Sequence, residues 1–273
     1  MKVMEFSSNY IQSALQCLTS PSSPEIIQQA QDALLQWEET HTDEYVTSLL
    51  ALVGVESNAP LRLAAVLALK AAVSRRWKDK GRGKVGDQKI FLNEGVKVQV
   101  RRSLLNLVLT GKVDGQTHQI HFITNPNGVI TRQQIELLYD RQLQKNVASL
   151  TSKLARMDLP LQFHELIPTL VEGVRISQGM KIQQQPEQTQ QQQPVIPFYA
   201  ILNNAMCTLE SVLSEMSTQR LLVDKRYRNS IALQHLGSIV ENGLISSLQE
   251  MESLKGVSVS NSWNGGDIVM KIQ

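Results

Sequence analysis

Aromatic residues make up only 5% of this 273-residue sequence, and cysteine occurs twice. Scarce rings beside plentiful Leu, Ile, Val and Ala argue for a helical protein over a β-sandwich. Cys17 and Cys207 stand far apart in apolar helical patterns, so both are read as buried free thiols in a reducing compartment. A charge excess is missing too. The 27 basic and 25 acidic residues leave +2, so no global field recruits nucleic acid or a membrane surface. No apolar run approaches the ~20 residues of a membrane span, and Met1-Lys2-Val3-Met4-Glu5 opens into polar sequence rather than a secretory signal. The expectation is a soluble intracellular chain, long enough for one large domain or two small ones.

Catalytic patterns are also lacking. His118-x-x-His121 has no Cys or carboxylate to complete a metal-ligand set, and in a strand that spacing sends the two rings to opposite faces. The G-x-G within Lys80 to Lys84 lacks both the strand and the Lys-Ser/Thr ending of a phosphate loop. No Ser sits in a nucleophile elbow, and neither Cys has a His partner in sequence. Glu38-Glu39 and Asp43-Glu44 read as helix-end charges. Neither an enzyme nor a cofactor is expected.

What the sequence does contain is helical periodicity, strongest from Asn58 to Lys78. Pro60 suits the first turn of a helix, and Leu63, Val66, Leu67, Leu69, Val73 and Trp77 cover one broad face. Ala64, Ala65, Ala68, Ala71 and Ala72 line the other side, so the helix is expected to be buried on more than one side. Arg62, Arg75, Arg76 and Lys78 mark its ends, the last three suiting the negative end of the helix dipole. Lys70 falls inside the apolar face. Either its stem packs while the ammonium reaches solvent, or the helix lines a groove where that ammonium meets a partner's carboxylate.

Before this stretch, three helices are expected. Phe6, Tyr10, Ala14, Leu15 and Leu18 mark the first. Ile26, Ile27, Ala30, Ala33, Leu34 and Trp37 mark the second, which opens on Ser23-Pro24-Glu25. Tyr45, Val46, Leu49, Leu50 and Val53 mark a third, from Asp43 to Val53. After it, KDKGRGK (Lys78 to Lys84) reads as a solvated loop between repeats. Helicity returns near Gln88 and runs through Val96, Val100, Leu104, Leu107 and Val108. Residues 111–130 form an insertion or β-hairpin loop around Asn125-Pro126-Asn127-Gly128. Thr131-x-x-Gln134 is a capping box for one long helix carrying Ile135, Leu138, Val147, Leu150 and Leu154. A helix started by Pro160 follows, with Leu166, Ile167, Leu170, Val171 and Val174, and Pro168 should kink it. Residues 182–196 are a Gln-rich disordered loop. Phe198, Ile201, Leu202, Ala205, Leu209, Val212 and Leu213 begin the last helical segment, 197–256, and residues 257–273 form an unstructured tail. Paired amphipathic helices with short connections cannot bury their stripes alone, so the fold class is all-α: an α-solenoid of antiparallel helix pairs.

Four pieces of this sequence resemble one family in the right order. LRLAAVLALKAAVSRRW resembles the importin-β N-terminal domain, with Arg62, Ala65, Lys70, Val73 and Trp77 at matching positions. AQDALLQWEE (Ala30 to Glu39) resembles the same domain's A-x-x-x-L-x-x-W-E signature. LARMDLPLQFHELIPTLVEGV (Leu154 to Val174) resembles the family's next repeat, with Phe163-His164 where a Trp-Pro pair is usual. STQRLLVDKRY (Ser217 to Tyr227) resembles the importin-eleven branch. The resemblance implies HEAT-type repeats, with residues 1–110 as the N-terminal domain, 131–181 and 197–256 as further repeat helices, and the whole as an N-terminal fragment.

It also implies a nuclear transport receptor that binds the small GTPase Ran in its GTP form, along with protein cargo and nuclear pore proteins. Such a receptor shuttles between nucleus and cytoplasm through the nuclear envelope. Helices 24–38, 60–77 and 144–157 would line the inner surface, with Arg62, Lys70, Arg75 and Arg76 as the residues facing Ran. No specific nucleic acid and no membrane insertion are implied. A helical-repeat scaffold without Ran dependence is the alternative.

Overall fold

A computed structural model describes residues 8–20, 23–78, 90–112, 131–159, 161–183 and 198–217. All of these belong to one compact unit, Met1–Asn229; a second, Ser230–Gln273, lies outside the described residues. So do the basic loop from residue 79, the segment 113–130 with His118 and His121, the Gln-rich run from residue 184, and everything expected beyond residue 217.

The described residues form helices and contain no strand. In chain order they are α1 (Ser8–Thr19), α2 (Pro24–Thr40), α3 (Thr42–Val55), α4 (Ala59–Arg76), α5 (Glu94–Thr110), α6 (Arg132–Tyr139), α7 (Arg141–Asp158), α8 (Leu166–Gln183) and α9 (Phe198–Ser217). Side chains that satisfy first-turn amides start five of them. Ser23 accepts from the Ile26 amide, Asn58 from Leu61, Asn93 from Val96 and Asp140 from Leu143. Thr131 and Gln134 form the full reciprocal capping box. Glu25 sits in the first turn of α2, where the Ser23 hydroxyl and a backbone amide hold its carboxyl below the usual value.

The helices stack in two layers. Helices α1, α3, α5 and α8 touch in sequence along one layer, and α4, α7 and α9 touch along the other. Hairpin partners α1–α2, α3–α4, α5–α7 and α8–α9 join the layers. This is the expected all-α repeat stack. Between the layers lies the core, with Ile11, Leu15, Leu34, Trp37, Val46, Leu49, Leu69, Val73, Leu104, Leu107, Leu143, Val147, Phe163, Leu170, Ala205 and Val212 buried. Phe163, which stands where the resembling family usually has Trp, is fully buried and fills an apolar slot. Gly173 lets α8 approach α5: a Cβ there would lie 2.4 Å from Leu109 Cδ2.

Several expectations need correction. Helix α5 starts at Glu94 rather than near Gln88. Its start is tied down by the Asn93 amide bonding Asp43 Oδ1 (3.0 Å) and the Leu92 amide bonding the Arg76 carbonyl (3.1 Å). The single long helix after Thr131 is two, α6 and α7. Asp140 breaks it, because its extended backbone (ψ 92°) ends α6 while its carboxylate caps α7. Pro168 lies in the first turn of α8, where a missing N–H costs nothing, so the kink argument does not apply.

On α4 the buried row is Leu61, Ala65, Val66, Leu69, Ala72, Val73 and Trp77, while Leu67 is 48% exposed. Buried Ala65 and Ala72 fit the expected packing on more than one side, but Leu67, and in part Leu63, fall outside the buried row. The thiols also differ from expectation: Cys17 is half-buried and Cys207 exposed, because each sits at the margin of its helix's apolar stripe.

Candidate functional site

Charges on α2, which meets α4 through Glu38, and on the layer of α4, α7 and α9 follow a simple order. Helix α2 carries Glu25, Asp32, Glu38 and Glu39 and no Lys or Arg. Helix α4 carries Arg62, Lys70, Arg75 and Arg76 and no acid. Helix α7 sets Arg141, Lys145, Lys153 and Arg156 against Asp158 alone, and α9 carries Glu210 and Glu215 with no base. Acidic helices therefore flank two basic ones.

The outer junctions are satisfied by ion pairs. At the first, Glu38 is 1% exposed and receives the Arg75 guanidinium (Nε to Oε1, 2.8 Å) and Arg76 Nε (3.2 Å). Burial alone would raise its carboxyl pKa, but the hydrogen bonds and charges of Arg75 and Arg76 outweigh it and hold the value below normal. At the other junction Arg156 bonds Glu215 at 2.8 Å.

A buried clasp joins α4, α5 and α7. The Asp158 carboxylate, with no side-chain exposure, accepts the Trp77 indole N–H (2.9 and 3.0 Å to its two oxygens) and the Arg101 Nε (2.9 Å) and Nη2 (2.8 Å). The Arg101 guanidinium also lies 5.3 Å from the Trp77 ring centroid and pairs with Glu94 at 2.9 Å. Lys78 donates to the Met157 carbonyl beside it.

Midway along α4 and α7, between the Arg62–Asp140 pair at one end and the Asp158 clasp at the other, no such pairing exists among the described residues. Lys70 donates instead to a neutral acceptor, the Ser149 hydroxyl, at 2.8 Å. Lys145 and Lys153 flank Ser149 at i−4 and i+4, one turn away on each side of the same helix face. Burial, and after it the Lys153 ammonium, hold the Lys70 pKa below the ordinary lysine value. The result is a like-charged seam in which Lys70 has a neutral acceptor and Lys145 and Lys153 are exposed, flanked by half-exposed Leu67.

The four residues expected to face a partner do not share one surface. Arg62 is 4% exposed, bonding the Glu56 carbonyl and Asp140 Oδ2, each at 3.1 Å. Arg76 is buried against Glu38. The Arg75 side chain is half exposed while paired, and only Lys70 lies in the seam. Lys145, Ser149 and Lys153 were not singled out from sequence, although their four-residue spacing on a helix without nearby acids was visible there. Elsewhere, a cavity of about 210 Å³ lies among Gly54, Gly111, Lys112, Thr131, Gln133, Gln134 and Leu137. The Gln133 amide there bonds the Gly54 and Val55 carbonyls (2.8 and 2.9 Å), and Gln134 bonds that of Thr110 (3.0 Å), so its amide donors are engaged. Among the described residues no group of three His, Cys, Asp or Glu side chains could hold a metal, and no helix is long and apolar enough to cross a membrane.

Comparison with known proteins bears on the residues that form these junctions. Residues 30–110 match the sequence model of the importin-beta N-terminal domain, a span that includes Glu38, Lys70, Arg75, Arg76, Trp77 and Arg101. The chain is 26% identical to mouse Importin-11 over 255 residues, covering 86% of this chain and 20% of the mouse protein. It is 24% identical to human Importin-11 over 269 residues, covering 87% of this chain and 23% of the human protein. It thus spans about a fifth of the length of these curated relatives. No solved structure matches it.

Proposed function

We propose that this chain provides the GTPase-facing N-terminal repeats of a nuclear transport receptor, and binds Ran in its GTP form through the α4–α7 seam. The observation that carries this reading is the pairing pattern of the layer. Glu38 and Glu215 neutralise the basic helices at their outer junctions, while Lys70 between them meets the neutral Ser149 hydroxyl. Two cationic helices packed side by side repel, and an acidic partner laid across the seam removes that repulsion at the moment of binding.

Of the four residues named from the sequence, Lys70 and Arg75 then make direct contact. Arg62 and Arg76 position the helices through Asp140 and Glu38. The chain acts by binding rather than catalysis. The likeness to Importin-11 supports a role in carrying protein cargo between cytoplasm and nucleus, past the pore proteins of the nuclear envelope.

The test is calorimetric titration with Ran loaded with GTP or GDP. The GTP form should bind more tightly, and Lys70→Glu should weaken it by roughly 1–3 kcal/mol, the range for one charge-assisted contact, with helicity unchanged. Lys145→Glu with Lys153→Glu should weaken it further and flatten the salt dependence. Equal binding of the two nucleotide forms, or none, would favour a helical-repeat scaffold independent of Ran.

A further inference from the structure

We propose that Lys70 is a modification site, acylated without an enzyme by acyl thioesters of coenzyme A. Three features of the seam point to this chemistry. The amine has no carboxylate partner among the described residues, only the Ser149 hydroxyl at 2.8 Å, so losing its proton breaks no ion pair. Lys145 and Lys153, both exposed and one turn either side of Ser149, place cations where the phosphate groups of such a thioester would be attracted. Burial and the neighbouring Lys153 charge also favour the neutral amine, the form that attacks.

The step balances simply. Lys70 first gives a proton to water. Its nitrogen lone pair then adds to the thioester carbonyl carbon, forming C–N, and the intermediate expels the thiolate as C–S breaks. The thiolate takes the remaining extra proton from nitrogen. The products are the Lys70 amide and the free thiol of coenzyme A, with no change of oxidation state. The amide carries no charge, so the seam loses the cation proposed above to meet Ran. That regulatory consequence rests on the proposed function; the acylation itself does not.

The experiment uses the folded chain with acetyl-coenzyme A at pH 8, and in parallel with S-acetyl-N-acetylcysteamine, a thioester without phosphates. Site occupancy is followed by mass spectrometry. Lys70 should be acetylated severalfold faster than exposed Lys112 by acetyl-coenzyme A. The margin should shrink with the phosphate-free thioester and in Lys145→Gln/Lys153→Gln. Equal rates at Lys70 and Lys112 with acetyl-coenzyme A would overturn the proposal, as would a margin untouched by removing the flanking lysines. A Lys70-acetylated sample that still binds Ran–GTP at full strength would leave the chemistry standing and count against the seam as the GTPase face.

Discussion

Replacing Asp158 with alanine tests how the hairpins are held together. Its carboxylate has no exposure and serves three donors: the Trp77 indole, the Arg101 guanidinium through two nitrogens and, at 3.6 Å, the Lys78 ammonium. Without it, Arg101, 3% exposed, keeps Glu94 and a long bond of 3.4 Å to Gln162, but loses its buried countercharge. Removing one partner of a buried pair costs about 3–5 kcal/mol, and an indole N–H stranded in the core about 1–3. The two share one acceptor and do not add, so a loss of about 4 kcal/mol is expected, against total stabilities of ~5–15 for a domain. Urea unfolding followed by circular dichroism at 222 nm should show the midpoint falling by roughly 2 M, taking a slope of about 2 kcal/mol per M. A cycle of Asp158→Asn with Trp77→Phe should give a coupling of about 1–2 kcal/mol. If Asp158→Ala stays within about 0.5 kcal/mol of the parent, as an ordinary surface change does, the clasp does not hold α4 to α7.

Other expectations follow from single sites. Glu38 has a folded pKa below its unfolded value near 4.5, so its ionised form stabilises the fold above that pH. The contribution is lost as pH falls through the lower folded value, so acid unfolding should be steeper in the parent than in Glu38→Gln. Gly111 has φ 64°, and a Cβ there would lie 2.5 Å from the Gln134 carbonyl oxygen, so Gly111→Ala should cost more than about 1 kcal/mol in the same urea assay. Native maleimide labelling should modify exposed Cys207 well before half-buried Cys17.

The helices were legible because each has a period and most have a written start. Ser23-Pro24, Asn58 with Pro60 and Thr131-x-x-Gln134 all act as caps or first-turn signals in the structure. What misled was chemistry with two local meanings. Asp140 looks like an ordinary polar position within a continuing stripe, yet it ends one helix and caps the next, and its second oxygen holds Arg62. Pro168 reads as a kink only if α8 starts at Pro160; with the start at Leu166 it occupies a position that needs no donor. On α4, a stripe of leucines and a stripe of alanines compete for the core. The buried row takes from both, with Ala65 and Ala72 between Leu61, Val66, Leu69 and Val73, and Leu67 lies at the surface.

The candidate site was harder to see because Arg62, Arg75 and Arg76 on α4 all looked like contacts for something outside the chain. Glu38, Arg62, Arg76, Trp77 and Asp158 belong to the stretches that made the sequence resemble a transport receptor, and each is committed to another helix of the same chain. Such pairs join residues 37 to 81 positions apart, a separation that composition and periodicity do not encode. Arginine suits this internal role: its planar fork reaches a buried carboxylate through two donors at once and stays charged when desolvated. Lysine suits the opposite one. Its ammonium is strongly hydrated and tolerates a neutral acceptor such as Ser149. The division among α4, α5 and α7 follows that difference. Arg62, Arg76 and Arg101 hold the hairpins in place, so that Lys70, Lys145 and Lys153 present one cationic surface in fixed register. The contact surface proposed above would therefore depend on residues outside it, because loosening the arginine pairs would let α4 and α7 move apart and scatter the lysines.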